Sequence, residues 1–142
     1  DINNLDIHQN ILEIIKQFQN KQDQKNINLN INLKNNFTIK ANKYYFYIMF
    51  SNLYLNAIKY NKDWWEINII IDKNYISISN TWDTILKENK DKIWDRFYKQ
   101  DTSRNTEGFW IWLSLVKNIC DLYNLNIKVK SENNFTTFEI KF

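Results

Sequence analysis

Apolar side chains recur along the chain with two periods, and these periods predict the order of its helices and strands. Spacings of three and four residues, which are typical of amphipathic helices, predict helices over Leu5–Lys21, over Lys43–Tyr60 and from Leu113 to Tyr123. Alternation of apolar and polar residues predicts strands at Ile27–Leu33, Phe37–Lys40, Glu66–Asp72, Tyr75–Asn80, Asn126–Ser131 and Phe135–Phe142. The short turns at Lys73-Asn74 and Asn133-Asn134 predict that the last four strands form two hairpins.

The chain between residues 81 and 112 does not share this periodicity. It is polar and predicts a single short helix, from about Lys87 to Phe97, within a long connection. Loops of this length in compact domains are usually functional or disordered. Because no repeat or linker divides the chain, the elements predict one α+β domain, in which a sheet is covered on one face by helices.

Composition narrows the class of protein without identifying it. The 142 residues, of 17.4 kDa, suffice for one domain with its own core, and no apolar stretch is long enough to span a membrane. The net charge of +3 is small and the charges are interspersed, which argues against nucleic acid as a partner. The single cysteine, Cys120, excludes a disulfide framework, and we expect it to be a core thiol. Since the sequence begins at Asp1 rather than Met, we expect a longer parent protein.

Asn52, Asn56 and Lys59 recur at helical spacing on one side of the predicted helix Lys43–Tyr60, away from its apolar face. A polar stripe of this kind is usually a solvated surface. Asparagine, however, is a poor helix former, and its side-chain oxygen can coordinate Mg²⁺, a hard cation that also binds phosphate oxygens. From the residues alone, a solvated face and a Mg²⁺–phosphate site are equally open.

Five short blocks follow one another along the chain. They are N-L-Y-L-N-A-I-K-Y from Asn52, I-S-I-S-N-T from Ile76, K-I-W-D-R-F-Y-K-Q-D from Lys92, S-R-N-T-E-G-F-W-I-W-L-S-L-V-K-N-I from Ser103 and T-T-F-E-I from Thr136. In this order and spacing they resemble the catalytic ATP-binding domain of sensor histidine kinases, within the wider family of gyrase, Hsp90 and MutL ATPases. The R-F-Y-K block favours the kinase branch over another ATPase of the superfamily, such as an anti-sigma-factor kinase.

This resemblance implies a fold and an extent for the domain. The whole chain, residues 1–142, would form one histidine-kinase-like ATP-binding domain with the Bergerat-type fold. That fold is a two-layer α/β sandwich in which helices cover one face of a mixed sheet. The implied cofactors are ATP and Mg²⁺.

The resemblance also gives roles to the polar stripe and its neighbours. Asn56 matches the family's Mg²⁺-binding asparagine, and Asn52 matches a catalytic polar residue one turn before it. Lys59 matches a phosphate contact that shares in catalysis, and Tyr60 an aromatic residue near the adenine. Asn80 stands where the family usually has Asp, whose carboxylate accepts a hydrogen bond from the adenine amino group. Asparagine can still accept through its oxygen, but without the strength that a charge adds.

Residues of the long connection are implied to close over the nucleotide. Phe97 matches the phenylalanine of a lid, and Arg96 is implied as a catalytic cation near the terminal phosphate. Lys99, as a cofactor contact, and Arg104 are further candidate cations, with a solvated surface as the alternative for all three. The remaining implied cofactor positions are Trp82, Thr84, Gly108, Phe109, Trp110, Ile111, Trp112, Leu113 and Thr136.

Tryptophan stands where the family prefers glycine. The chain has six tryptophans, one glycine and no proline, whereas an average chain has about 7% Gly and about 5% Pro. Five of the six occupy glycine-type positions, namely Trp64, Trp65, Trp82, Trp110 and Trp112. Glycine at such turns reaches positive φ and lets phosphate approach backbone N–H groups, so the chain as printed should bind ATP poorly or not at all.

Two hypotheses explain these tryptophans. In the first, the gene uses UGA for glycine and was translated as if UGA meant tryptophan. In the second, the domain is a degenerate pseudokinase, retained as an interaction module without ATP binding. We favour the first, because one substitution type at one class of position requires a single cause. The restored loops would read N-T-G-D-T and G-F-G-I-G-L-S, which resemble ordinary family sequences.

The resemblance further implies partners that lie outside this sequence. The γ-phosphate would pass to a histidine in a separate dimerisation and phosphoacceptor domain, which we expect upstream of Asp1. His8, the only histidine, lacks the following acid and proline of the family's phosphoacceptor. We therefore expect a homodimeric full-length kinase with a response regulator as partner, a cytoplasmic catalytic domain, and membrane attachment only through upstream segments. The fragment alone should bind nucleotide but not autophosphorylate.

Overall fold

The computed structural model describes residues 1–61, 65–81, 87–95 and 109–142. The helices are α1 (Ile7–Gln17), α2 (Gln19–Gln24), α3 (Lys43–Lys59) and α4 (Phe109–Leu122). The strands are β1 (Asn3–Asp6), β2 (Asn28–Leu33), β3 (Thr38–Ala41), β4 (Glu66–Asp72), β5 (Tyr75–Thr81), β6 (Asn126–Glu132) and β7 (Phe135–Lys141). Two 3₁₀ turns, Lys87–Asn89 and Lys92–Trp94, lie between β5 and α4.

The main sheet has five strands in the order β2-β4-β5-β7-β6. β2 runs parallel to β4 and the other neighbours are antiparallel, so the sheet is mixed. The hairpins turn at Asn74 and at Asn133-Asn134, which have φ angles of 55°, 52° and 62°. Asparagine reaches this left-handed region more easily than most residues. Both predicted hairpins and the α+β class are confirmed.

The helical layer covers one face of this sheet. Its central element is α3, which contacts α1, α4 and β5. Asn42 caps α3 by accepting hydrogen bonds from the N–H groups of Tyr44 and Tyr45. The core between the layers consists of large side chains with almost no exposure, among them Phe50, Leu53, Tyr54, Ile67, Ile69, Ile71, Ile76 and Ile78. Alternate residues of β4 supply three of these, as the predicted strand period requires.

The prediction of one helix over Leu5–Lys21 is wrong at its start, and the helix is interrupted at Phe18. Leu5 and Asp6 belong to β1, which pairs antiparallel with β3 in a separate two-stranded ribbon. The first helix begins after Asp6, whose carboxylate accepts a hydrogen bond from the N–H of Gln9 at 2.9 Å. It ends at Phe18, where φ of −109° and ψ of 13° leave the helical region before α2 begins. The strand partner lies far along the chain, so local periodicity could not reveal the ribbon.

The predicted helix from about Lys87 to Phe97 is also wrong over its described part, which forms two 3₁₀ turns instead. The last predicted helix is present as α4, but it begins at Phe109, one turn before the predicted Leu113. Within the described part of the chain, no helix combines the length and the apolar character needed to cross a bilayer.

Candidate nucleotide-binding site

The helix-covered face of the sheet changes from apolar to polar at the carboxyl end of β5. The aligned rows across β5, β7 and β6 are Ile76–Ile140–Ile127, then Ile78–Phe138–Val129, then Asn80–Thr136–Ser131. Asn80 is 2% exposed, and the fully buried Thr136 has its hydroxyl 3.2 Å from that of Ser131. A few convergent polar groups beside an apolar wall are typical of a small-molecule site.

Asn56 contributes a buried carboxamide from the last turn of α3. It is 3% exposed, and neither its Oδ1 nor its Nδ2 has a hydrogen-bond partner among the described residues. An unpaired buried polar group costs about 1–3 kcal/mol, and most such groups in folded proteins have a partner. The amide oxygen is a hard ligand that suits Mg²⁺. The side chain therefore fits a cation that takes its other ligands from phosphate and water.

No alternative metal centre competes with Asn56 in the described part of the chain. Those residues contain no group of three or more His, Cys, Asp and Glu side chains that could hold a metal ion. Among the described residues, the Asn56 oxygen is the ligand that we assign to a cation here, with the nucleotide supplying others. Mg²⁺ commonly binds in this way, because it keeps several waters and shares phosphate oxygens.

Asn52 and Lys59 lie on α3 to either side of Asn56. Asn52 is half-buried, and its Nδ2 donates to the carbonyl oxygen of Ile48 at 2.7 Å. Lys59 is also half-buried; burial, and to a lesser extent the ammonium group of Lys25, lower the pKa of its side chain. None of the three residues of the predicted stripe is exposed, which disfavours the solvated-face interpretation.

Asn61, which no sequence pattern marked, ties the end of α3 to the sheet. Its Nδ2 donates to the carbonyl oxygen of Glu66 at 2.9 Å, and its Oδ1 accepts a hydrogen bond from the hydroxyl of Thr81. The half-buried Tyr60 precedes it, and the Tyr60 N–H donates to the Asn56 carbonyl at 3.0 Å. These bonds fix the last turn of α3 beside the carboxyl end of β5. The only signal in the sequence was the position of Asn61 directly after the helix.

Asn80 makes a bond that the family's aspartate could not make. Its Nδ2 donates to the carbonyl oxygen of Thr81 at 3.1 Å, whereas a carboxylate has no hydrogen to donate. The side-chain oxygen is then the acceptor that an adenine amino group would need.

The remaining predicted positions fall into two groups. Leu113 is fully buried in the core, and Trp112 is 49% exposed near the start of α4. The predicted phosphate loop spans residues 108–113, but residues 109–113 already lie in the first turns of α4. The described part of that segment is therefore a helix N-terminus and not a loop. Outside the described residues lie Trp82, Thr84, Arg96, Phe97, Lys99, Arg104, Gly108 and the side chains of Phe109, Trp110 and Ile111.

The described tryptophans have different surroundings. Trp94 packs edge-on against Phe138, with ring centroids 5.8 Å apart and an angle of 73° between the rings, and it joins the edge of the core. Trp65 and Trp112, at two glycine-type positions, are 40% and 49% exposed. An indole stabilises a fold mainly through the large area that it buries, and of these three tryptophans only Trp94 is packed against the core.

Residues 42–142 match the protein family described as histidine kinase-, DNA gyrase B- and HSP90-like ATPases. The match covers well over half of the chain, and the chain therefore belongs to this family. Its relatives and structural neighbours are sensor histidine kinases, and the domain is of the catalytic ATP-binding type found in those kinases.

Two relatives illustrate the likeness in sequence. The sensor protein CiaH of Streptococcus pneumoniae is 38% identical over 96 residues, which are 63% of this chain and 22% of CiaH. The heme sensor protein HssS of Staphylococcus saprophyticus is 29% identical over 97% of this chain and 30% of HssS. The chain thus spans less than a third of the length of these curated relatives.

Solved structures establish the fold. The nucleotide-free catalytic domain of the histidine kinase ThkA superposes with a TM-score of 0.82 at 21% identity, over 100% of this chain and 96% of that one. Full-length ShkA in complex with AMPPNP gives 0.82 at 16% identity, over 99% of this chain and 30% of ShkA. ThkA in complex with the response regulator TrrA superposes with a TM-score of 0.79 at 20% identity, over 99% of this chain and 41% of the ThkA chain. The mixed five-stranded sheet with helices matches these catalytic domains, which confirms the predicted fold class.

Proposed function

We propose that this domain binds Mg²⁺ and ATP between α3 and the connection that precedes α4, and presents the γ-phosphate to a histidine in a separate domain. The observation that carries the proposal is Asn56, a buried carboxamide without a hydrogen-bond partner among the described residues. Such a group fits a resident ligand better than a structural role, because no described protein group satisfies it. The match to a family of ATPases supports the same conclusion.

The chain's own residues would hold and orient the nucleotide. Asn56 would contribute its amide oxygen to Mg²⁺, and the bound ion would neutralise charge on the phosphates. Asn80 would accept from the adenine amino group, while Tyr60 would pack near the base. Asn52 and Lys59 would contact the polar end of the nucleotide from α3. Catalysis by such a domain consists mainly of positioning and charge stabilisation.

The residues outside the described part would complete the site. We assign Arg96 to the terminal phosphate, with Lys99 and Arg104 as further cations, and Phe97 to the lid. The segment from Gly108 to Trp112, together with Trp82 and Thr84, would surround the phosphates and the base. These assignments rest on the resemblance of the motifs.

The proposed partners follow from the relatives. Because this chain spans only 22% of CiaH and 30% of HssS, we infer that a dimerisation and phosphoacceptor domain precedes it in a homodimeric kinase. ThkA has been solved with its response regulator, and we propose a response regulator as the downstream partner here. The domain would lie in the cytoplasm, attached to the membrane only through upstream segments. Alone, the domain with glycine at positions 64, 65, 82, 110 and 112 would bind nucleotide without autophosphorylating.

We further propose that the native protein has glycine at positions 64, 65, 82, 110 and 112, encoded by UGA. Trp65 and Trp112 are 40% and 49% exposed, unlike the large side chains of the core, and this partial exposure supports the proposal. Trp94, at a position where the family tolerates an aromatic residue, is packed against Phe138 and serves as the internal reference. A degenerate domain that acts as an interaction module is the competing function.

The test compares the printed chain with a glycine-restored variant, which carries Trp→Gly at positions 64, 65, 82, 110 and 112. ATP binding is measured by calorimetry with Mg²⁺ and with EDTA. We expect binding by the variant, strengthened by Mg²⁺, and little or none by the printed chain. The proposal that UGA encodes glycine would be established if the five positions have UGA codons while position 94 has UGG. The mass of the native peptide should then correspond to glycine at these positions. UGG codons at the five positions, with no binding by either form, would leave the interaction module as the function.

A further inference from the structure

Lys25, in the turn that follows α2, reaches across to the end of α3. Its Nζ donates hydrogen bonds to three backbone carbonyl oxygens, those of Ile58 at 3.0 Å, Lys59 at 2.6 Å and Asn61 at 3.1 Å. These contacts join parts of the chain that are 33 to 36 residues apart in sequence. A single ammonium group thus gathers the carbonyl groups at the C-terminal end of the helix that bears Asn56 and Lys59.

The end of α3 needs such a partner, because the last carbonyls of any helix lack intrahelical hydrogen bonds. Helices commonly solve this with a glycine in the left-handed region just after the last turn. Here Tyr60 follows the helix with φ of −92° and ψ of 1°, so it is not left-handed. The ammonium of Lys25 replaces that arrangement, and its charge complements the negative end of the helix dipole.

The turn that carries Lys25 is itself fixed to α3. Gln22, on α2, is buried; its Oε1 accepts a hydrogen bond from the hydroxyl of Tyr54 and its Nε2 donates to the Ile27 carbonyl at 3.4 Å. Burial raises the pKa of Tyr54, which keeps its hydroxyl a donor. Asn26 completes the turn in the left-handed region, with φ of 54°. Lys25 is therefore held in place by the same helix whose end it caps.

We propose that Lys25 is a positioning residue for the nucleotide site: by capping α3 it fixes the last turn, and with it the Asn56 amide. The inference rests on the proposed Mg²⁺ and ATP site. Helix ends fray unless their carbonyls are bound, and Mg²⁺ demands nearly ideal octahedral geometry from its ligands. A frayed last turn would move the Asn56 oxygen without unfolding the domain.

Lys25 also acts on Lys59 through its charge. The two lysines line the same surface hollow as Lys21, Leu55 and Ile58. The pKa of Lys59 is lowered by burial and then by Lys25. Removing the Lys25 charge should therefore raise the pKa of Lys59, a change that NMR titration of the lysine side chain can follow.

The first experiment measures amide hydrogen exchange at Tyr60 and in the last turn of α3, without nucleotide. Lys25→Met should speed exchange there by about 10- to 100-fold, since hydrogen bonds to charged groups stabilise by about 1.5–3 kcal/mol. Lys25→Arg should keep most of the protection. Lys21→Met is the matched control, because it removes the same charge from the same hollow without touching a carbonyl. Unchanged exchange in Lys25→Met, or an equal effect from Lys21→Met, would overturn the proposal.

The second experiment measures ATP affinity in the glycine-restored background, with Mg²⁺ and with EDTA. A positioning role predicts that Lys25→Met loses most of the gain that Mg²⁺ provides while affinity in EDTA changes little. A merely structural role would lower both affinities together, and that result contradicts the inference. If the background itself binds no ATP, the proposed function fails, and the exchange result alone decides whether Lys25 fixes the end of α3.

Discussion

Trp94 and Trp112 place the same side chain in two very different regions of the domain. Trp94, in the second 3₁₀ turn, packs edge-on against Phe138 of β7 at the margin of the core. Trp112, near the start of α4, leaves 49% of its surface exposed. One indole contributes to the fold and the other lies at the predicted phosphate loop, where bulk is a disadvantage. The difference shows that the described tryptophans do not share one structural role.

The turns of the chain sharpen this contrast. Within the described part of the chain, the five non-glycine residues with positive φ, between 52° and 62°, are all asparagine, at positions 26, 74, 124, 133 and 134. Asparagine can take the left-handed conformation that glycine usually supplies. Where the described part of the fold needs a left-handed turn, asparagine therefore takes the place of glycine. Tryptophan at the glycine-type positions is no such substitute, which argues for a cause outside the folding of the protein.

The largest expected effect is a difference in the free energy of unfolding between variants of Trp94 and of Trp112. Trp94→Ala should lower the free energy of unfolding by about 3 kcal/mol, because it empties a packed site against Phe138. Trp112→Ala should change it by about 0.5 kcal/mol or less, as is usual for exposed side chains. Urea unfolding of both variants measures the difference, and Trp94→Phe, which keeps an aromatic ring, should fall in between. Equal losses would break the comparison, since Trp112 would then be a structural residue.

Replacing Asn56 should impair ATP binding without lowering the free energy of unfolding, the opposite of what we expect at Trp94. Asn56→Leu replaces a buried amide that lacks a described partner with an apolar side chain of similar size. It should leave the free energy of unfolding unchanged or raise it by about 1 kcal/mol. In the glycine-restored variant it should abolish the gain in ATP affinity from Mg²⁺. Calorimetry with and without Mg²⁺ tests the second part. A marked loss of stability would mean that Asn56 has a structural partner.

Most of the sheet could be predicted from the sequence, because its information is local. Strict alternation at Ile67, Ile69 and Ile71, and the asparagine turns, specify both hairpins and their buried face. The stripe of Asn52, Asn56 and Lys59 could be predicted from helical spacing for the same reason.

What could not be predicted depends on distant partners. The ribbon strand at Leu5 pairs with Ile39, and the helix cap from Lys25 acts on carbonyls more than 30 residues away. A lysine in a turn after a short helix has no pattern that distinguishes it from a solvated one. Asn61 is similar, because its bonds to Glu66 and Thr81 arise only when α3 meets the ends of β4 and β5.

Asn80 allows a smaller test at the base-binding end of the proposed site. Asn80→Asp, in the glycine-restored variant, restores the carboxylate that the family uses. A charged acceptor should raise ATP affinity about fivefold and increase the preference for ATP over GTP, whose guanine offers an oxygen where adenine offers an amino group. The variant also loses the bond to the Thr81 carbonyl, so the free energy of unfolding should fall by about 1 kcal/mol. Competition binding with both nucleotides measures the first effect. An unchanged ratio would remove Asn80 from the base contacts.

The smallest expected effect lies at Asp6, far along the chain from the glycine-type positions. Its carboxylate caps α1 by accepting from the Gln9 N–H at 2.9 Å and from the Asn36 amide, and these bonds lower its pKa below the usual 3.8. Because the folded pKa is lowered, the stabilisation is fully present above about pH 4 and is lost as the pH falls through the folded pKa. Asp6→Ala should therefore cost about 1 kcal/mol at pH 7, and progressively less below pH 4.

Unfolding measured at pH 7 and at pH 3 tests this, with Asp6→Asn as the control, since its amide oxygen keeps the cap without a charge that titrates. Its free energy of unfolding should follow that of wild type at pH 7 more closely than Asp6→Ala does. Neither variant should alter ATP affinity in the glycine-restored background, because Asp6 supports the fold in the way that Trp94 does. A change in ATP affinity would show that positions supporting the fold are coupled to positions of the nucleotide site. The contrast between Trp94 and Trp112 would then need another explanation.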